Sequence, residues 1–472
     1  MNGNELWRLS ARELAGAIRD GEVSSREVVE AHLARVAAVN PAVNALTVVF
    51  ADEARQAADA ADAARAARQP LGPLHGVPFT IKENIDLAGS PTTQGIVAFA
   101  DAVPAADAPA VAQLKAAGAI PLGRTNMPEG ALRWHTDGVL RGPTRNPWDP
   151  GRSPGGSSGG EAVALATGMT PLGLGSDYGG SVRTPSQWCG TTALRPSQGR
   201  VAGARALPPE PSLTRQLFAV NGPMARRVAD LRLALGAICG PDPRDPGWVP
   251  APLQGPPLAT PVQVAVTVDP AEQGCDPAVA AGVRRAAEAL AEAGYRVAEV
   301  EPPRIAEGAA LWAALITAEA RLAEATVRPL LGPDAQRFND LLLASAPALD
   351  HAGYVAGFAT RAAIVRAWSL FQADWPLVLG PVATIAPPPV GFDLADADAA
   401  ARVVRAHRLT TLVNLLGLPS VAVPVGLADG LPQGVQLIAP RFREDLCLDA
   451  AQAIEDRLGI LTPLDPRGQR AQ

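Results

Sequence analysis

Gly155-Gly156-Ser157-Ser158-Gly159-Gly160, a short Ala-rich segment, then Leu172-Gly173-Leu174-Gly175-Ser176-Asp177-Tyr178-Gly179-Gly180-Ser181: this stretch decides how the rest of the chain reads. Two serines, Ser157 and Ser181, stand 24 positions apart in separate glycine-rich turns. Glycine has no Cβ, so successive backbone N–H groups can be turned toward one point, as an acyl-transfer site requires. Upstream, Gly76-Val77-Pro78-Phe79-Thr80-Ile81-Lys82-Glu83-Asn84 places one lysine after an apolar, strand-like run. Burial there would strip its proton.

Further blocks follow in order: Gly123-Arg124-Thr125-Asn126-Met127-Pro128-Glu129, Asn146-Pro147-Trp148-Asp149, Cys189-Gly190 with Leu194-Arg195-Pro196, and Gly222-Pro223-Met224-Ala225-Arg226. Asn414-Leu415-Leu416-Gly417-Leu418-Pro419-Ser420 and Gly434-Val435-Gln436-Leu437-Ile438 close the series. With these blocks the chain resembles the amidase signature family over nearly its whole length. The resemblance implies an α/β fold in one large domain: a mixed, mostly parallel twisted sheet covered by helices on both faces. It also implies a serine hydrolase of amide carbon–nitrogen bonds, with Lys82 as base, Ser157 as a bridging serine after a cis peptide bond and Ser181 as nucleophile. Backbone N–H groups of Tyr178, Gly179, Gly180 and Ser181 would then form the oxyanion hole. Ser158 either caps the helix beginning near Glu161 or bonds to Lys82, and Asp177 with Arg183 braces the turn as an ion pair. One departure stands out: Glu83 occupies a position where the family often has aspartate.

Composition agrees with a buried α/β enzyme. Hydrophobic residues make up 47% and charged residues 19% of 472, enough apolar material for a large core. The net charge of −6 comes without basic clusters, giving no electrostatic reason to expect nucleic acid. Four scattered cysteines, Cys189, Cys239, Cys275 and Cys447, suggest neither a disulfide framework nor a metal pair and read as buried thiols. The five histidines share no ligand spacing, so no metal and no cofactor is expected. The N-terminus lacks a secretory pattern, and Pro and Gly interrupt the uncharged run 409–428, so a cytoplasmic protein without membrane contact is expected. It would act as a monomer or homodimer on a small-molecule amide, ester or carbamate, with water.

Local signals give the layout. Ser10 with Glu13 and Ser24 with Glu27 each start a helix, with Gly21 as the stop between them, and residues 51–68 form a third. Strand-like 77–81 and 119–123 alternate with a helix at 110–117; later come a strand at 262–268, a helix opened by Asp276-Pro277 and a strand at 296–300. The expected divisions of the single domain are N-terminal helices 1–70, a core 71–230 and a Pro-rich surface connection 241–261. Residues 262–472 supply the remaining sheet and pocket-lining helices. The pocket segments 132–136 and 311–317 offer Trp134, His135, Trp312 and Ile316, favouring an apolar or aryl substrate.

Two rival readings remain at this point. Gly155-Gly156-Ser157-Ser158-Gly159 satisfies the G-x-S-x-G elbow of an α/β-hydrolase, with His351 and His407 downstream, although Arg152-Ser153-Pro154 is not the strand that must precede one. If that reading is wrong, His351→Ala and His407→Ala are both expected to keep most activity. The other is a protein like the glutamine-hydrolysing component of a glutamine amidotransferase complex, but no glutamine-binding pattern is visible.

Overall fold

A computed structural model describes residues 3–207 and 210–468; residues 1–2 and 469–472, at the ends of the first and last expected divisions, lie outside the described residues. Both N-terminal S-x-x-E patterns close as reciprocal capping boxes, Ser10 with Glu13 on the helix Ala11–Asp20 and Ser24 with Glu27 on Ser25–Val43. Gly21 ends the first in the left-handed region, at φ 78°. The helix Ala51–Ala66 buries only Ala54 and Ala58, as its Ala/Asp/Arg composition requires of a surface helix.

The strands are β1 (Leu46–Val49), β2 (Pro78–Lys82), β3 (Ile120–Thr125), β4 (Leu172–Asp177), β5 (Thr192–Arg195), β6 (Val220–Ala225), β7 (Gln263–Val266), β8 (Arg296–Glu299), β9 (Leu377–Pro381), β10 (Ser420–Ala428) and β11 (Leu431–Ile438). They form one sheet in the order β1-β3-β2-β4-β6-β5-β10-β11-β9-β7-β8, so strands from both sides of residues 241–261 share it. The sheet is mixed but not mostly parallel. Only β2–β3, β2–β4, β7–β8 and β7–β9 pair in parallel, and the six remaining pairings are antiparallel. Part of the reason is local: β10 and β11 are joined by Asp429-Gly430, both at positive φ, a two-residue turn that dictates a hairpin.

Alternation along the strands assigns two faces. Phe79, Ile81, Leu172, Leu174, Val421, Val423, Val435 and Leu437 belong to one apolar core, which also holds Leu14, Leu231, Val283 and Ile454 from helices. Thr80 and Lys82 alternate with Phe79 and Ile81 and so project to the other face, where the helix Gly159–Ala166 lies. That helix approaches closely because β4 offers glycine there. A Cβ on Gly175 would stand 2.9 Å from Ser158 Oγ, and one on Gly173 would collide with Glu161 Oε1.

Asp276 precedes the helix Pro277–Glu292 but makes no side-chain cap; its carboxylate accepts from the Ala386 N–H at 3.1 Å instead. Cys189 and Cys447 are buried as read from the sequence, whereas Cys239 and Cys275 are partly exposed, and all four are free thiols. The uncharged run resolves into the helix Arg408–Leu416, Gly417 at φ 71° and β10. No helix among the described residues is long and apolar enough to cross a membrane.

Candidate active site

The site forms where the parallel strands β2 and β4 end. Lys82, the last residue of β2, is fully buried, and its Nζ lies 2.6 Å from Ser157 Oγ and 3.0 Å from Ser176 Oγ. The Gly156–Ser157 peptide bond is cis. The Ser158 N–H donates to the Ser181 carbonyl at 3.1 Å, tying the two glycine-rich turns together. Ser181 itself is 8% exposed, and among the described residues its hydroxyl makes no hydrogen bond. Lys82 and Ser157 are therefore hydrogen-bonded to each other, and the Ser181 hydroxyl stands apart from that bond.

Burial lowers Lys82 from its ordinary value to about 7; Asp177 and Glu161 oppose the shift and Arg215 adds to it. An unperturbed lysine would be neutral in roughly one molecule in 2,500 at pH 7. Burial removes most of that penalty. Glu161, on the helix that follows Ser157, is fully buried between Thr80 Oγ1 and Thr125 Oγ1, the latter donating at 2.7 Å. Burial raises its carboxyl to about 7, against the pull of both threonines and Lys82.

Sequence reasoning misses Glu161 and Ser176 as parts of the site. The available signal for Glu161 is a lone carboxylate in an otherwise apolar helix; Ser176 has only its place beside Asp177. Ser158 does neither of the two things expected of it: its hydroxyl donates to the Ser176 carbonyl at 3.4 Å, and the helix starts without a side-chain cap. The geometric reason is that Ser176 already fills the second place at Lys82. Ser176 Oγ also accepts from Asn84 Nδ2 at 3.0 Å. Glu83 points away from the serines and accepts from Thr47, Thr93 and Arg141.

Asp177 and Arg183 form a fully buried ion pair at 3.0 Å, with Arg195 Nε 3.7 Å from the same carboxylate. Asp177 also accepts from Asn414 Nδ2 at 2.8 Å and from the backbone N–H groups of Gly180 at 2.9 Å and Val182 at 3.2 Å. Burial alone would raise its pKa, but Arg183, Arg195 and Asn414 outweigh it and hold the carboxyl far below its ordinary value. The Gly180 N–H is thus already committed to a carboxylate. Gln436 accepts from Arg183 at 2.7 Å, so both C-terminal blocks of the sequence end up supporting the turn that bears Ser181.

Trp134 and Trp312 lie against that turn, within an aromatic cluster against which Ile316, Tyr178 and Leu132 pack. His135 is spent on the scaffold: it is 4% exposed, its Nδ1 lies 3.0 Å from Ser153 Oγ, and burial lowers it to about 4. His407 is fully buried and stacked on Trp134, and burial likewise lowers it to about 4. His351 is exposed at the start of the helix His351–Asp374. Neither bonds to Ser157 or Ser181, and no strand leads into Gly155, which removes the elbow reading. The two histidines are not equivalent controls, however. His407→Ala would open a cavity beside Trp134 and cost stability as well as rate.

The amidase family model matches residues 27–448, and the chain belongs to that family. It is 46% identical to an indoleacetamide hydrolase of Bradyrhizobium diazoefficiens, over 97% of this chain and 88% of that protein. One component of the glutamyl-tRNA(Gln) amidotransferase of Salinispora tropica is 35% identical over 97% of this chain and 99% of its own length. Among solved structures, a bacterial aryl acylamidase of the amidase signature family superposes with a TM-score of 0.81 at 26% identity, covering 95% of this chain and 96% of that one. The chain is an amidase that hydrolyses carbon–nitrogen bonds of amides.

Proposed function

We propose that the chain hydrolyses primary amides of arylacetic type through an acyl-enzyme on Ser181. The observation that carries this reading is the buried Lys82, near neutrality and 2.6 Å from Ser157 Oγ, in a turn bonded to the one that bears Ser181. Neutral Lys82 accepts the Ser157 proton as Ser157 accepts that of Ser181, whose Oγ attacks the amide carbon. The oxyanion meets the N–H groups of Tyr178, Gly179 and Ser181; that of Gly180 is engaged by Asp177. Collapse breaks the C–N bond and expels ammonia, whose nitrogen takes its proton from Ser157, and water then releases the acid by the reverse relay. Esters and carbamates pass through the same acyl chemistry where the pocket admits them.

The aryl preference is supported by Trp134 and Trp312, which bond to the turn before Ser181, by the apolar cluster against which Tyr178, Ile316 and Leu132 pack, and by the likeness to the indoleacetamide hydrolase. A panel of aryl acetamides, aliphatic amides, aryl carbamates, p-nitrophenyl esters and free glutamine tests it. The aryl acetamides are expected to exceed glutamine in kcat/KM by about a hundredfold or more, because an apolar wall leaves the glutamine charges unpaired. Preference for glutamine or a dicarboxylate monoamide would overturn the reading in favour of an amidotransferase-like site.

The pH profile follows from the cage around Lys82. Activity requires its neutral form, so kcat/KM is expected to rise with pH through about 7 and to flatten above it, with Lys82 and Glu161 titrating as a coupled pair. This places the rising limb lower than an ordinary lysine would. Glu161→Gln removes a charge that favours the protonated lysine and is expected to move the limb to lower pH. A limb unmoved in this variant, or moved upward, would contradict the assignment of Lys82 as the base.

A further inference from the structure

The two indoles against the Ser181 turn are also bonded to its backbone. Trp134 Nε1 donates to the Gly179 carbonyl at 2.9 Å, and Trp312 Nε1 donates to the Tyr178 carbonyl at 3.1 Å. Two tryptophans from remote segments, one in a loop after Leu132 and one on the helix Ile305–Val327, thus grip consecutive carbonyls of one turn. We propose that Trp134 and Trp312 are positioning residues that clamp the oxyanion turn, so that the walls of the substrate pocket and the donors of the oxyanion hole are one mechanical unit. The proposal rests on Ser181 being the nucleophile.

Peptide geometry makes the clamp effective. The bonds joining Tyr178, Gly179 and Gly180 are trans, and in a trans peptide the C=O and N–H point in opposite directions. Holding the Tyr178 carbonyl therefore aims the Gly179 N–H to the other side, away from Trp312. The next unit is held at both ends, its carbonyl by Trp134 and its Gly180 N–H by Asp177. Gly179 and Gly180 have the greatest freedom of any residue pair to leave this arrangement, so external bonds must supply the order that side chains here do not. The indoles also leave no room at the turn: a Cβ on Gly179 would lie 2.7 Å from Trp312 Cζ2 and 3.6 Å from Trp134 Cζ2.

The clamp is itself anchored. Trp134 stacks on His407 with centroids 4.4 Å apart and planes 13° from parallel, and Phe338 meets it edge-on at 6.5 Å. His407 Nδ1 lies 2.7 Å from the Val403 carbonyl, which fixes the ring beneath Trp134. Trp312 and Trp134 touch at a tilt, with centroids 6.3 Å apart. Because both indole N–H groups are spent on backbone, only the apolar parts of the rings remain for substrate. An aryl group resting on them presses on the same rings that aim the Gly179 N–H.

Trp134→Phe and Trp312→Phe keep a ring and remove the N–H. Each is expected to lower kcat on the best amide of the panel about tenfold, less than the loss of an oxyanion donor itself, with KM changed by no more than about threefold. Benzylboronic acid, which forms a tetrahedral adduct on a serine, should lose affinity in step with kcat/KM, while phenylacetate, which forms none, should not. If a phenylalanine variant fails to fold, a benzothienyl side chain installed at the same position replaces N–H by sulfur at nearly constant shape and gives the same readout. Wild-type kcat and boronate affinity in these variants, or a rise in KM alone, would show the tryptophans to be pocket wall only and overturn the clamp. Turnover surviving in Ser181→Ala would instead overturn the nucleophile on which the clamp rests.

Discussion

Ser181→Ala is expected to fold normally and to lower kcat by about five to six orders of magnitude, the loss seen when a serine nucleophile is removed from an intact site. The Ser181 hydroxyl has no hydrogen-bond partner among the described residues, so its removal disturbs nothing else. Lys82→Met should lower kcat by about three orders or more, yet raise the melting temperature. The sign follows from linkage. Lys82 has a folded pKa of about 7 against about 10.4 unfolded, so its burial costs stability in full below pH 7 and progressively less as the pH rises toward 10.4. Removing it recovers a few kcal/mol at neutral pH, partly offset by the lost bonds to Ser157 and Ser176. His351→Ala, on the exposed start of its helix, should leave both rate and stability unchanged. Calorimetry and steady-state rates on the same preparations check all three variants; a Lys82→Met protein less stable than wild type would contradict the lowered pKa.

Asp177→Ala should have the largest effect on stability. It leaves Arg183 and Arg195 buried without their anion and frees the Gly180 and Val182 N–H groups, a loss of about 3 to 5 kcal/mol. Asp177→Asn keeps the shape and part of the bonding and should fold, with reduced kcat because the Gly180 peptide is held less firmly. Since the Asp177 pKa is depressed on folding, its contribution is complete above about pH 4 and is lost only as the pH falls below that. Denaturant melts of both variants at pH 7 test the ordering; an alanine variant as stable as the asparagine one would show that the buried arginines find other partners.

Much of this arrangement is legible in the sequence because local chemistry dictates it. The capping boxes at Ser10 and Ser24 need only residues three apart, and the glycine-rich turns announce close backbone approach. The Asp429-Gly430 dipeptide carries an equally local hairpin signal, and overlooking it leaves the sheet more parallel in expectation than in fact. What single-chain reading does not give is the choice of partner across the fold. Nothing near Ser158 in sequence says that Ser176 takes the second place at Lys82, and nothing near Glu161 says that Thr80 and Thr125 close over it. Tryptophans at 134 and 312 look like pocket walls because hydrophobicity is readable from composition, whereas the direction of an indole N–H depends on packing.

The supports of Asp177 also bear on when the enzyme becomes one. Lys82, Ser157 and Ser181 all leave the ribosome before half of the chain is made, but Asn414 and Gln436, which brace the turn, come near its end. Contacts of such sequence separation form late, after the loop-closure entropy of the intervening chain has been overcome. A polypeptide ending before Asn414 therefore holds Lys82, Ser157 and Ser181 but lacks the bonds from Asn414 and Gln436, and is expected to show no turnover in an amide assay. On that expectation, the order of synthesis itself would keep partly made chains from hydrolysing amides.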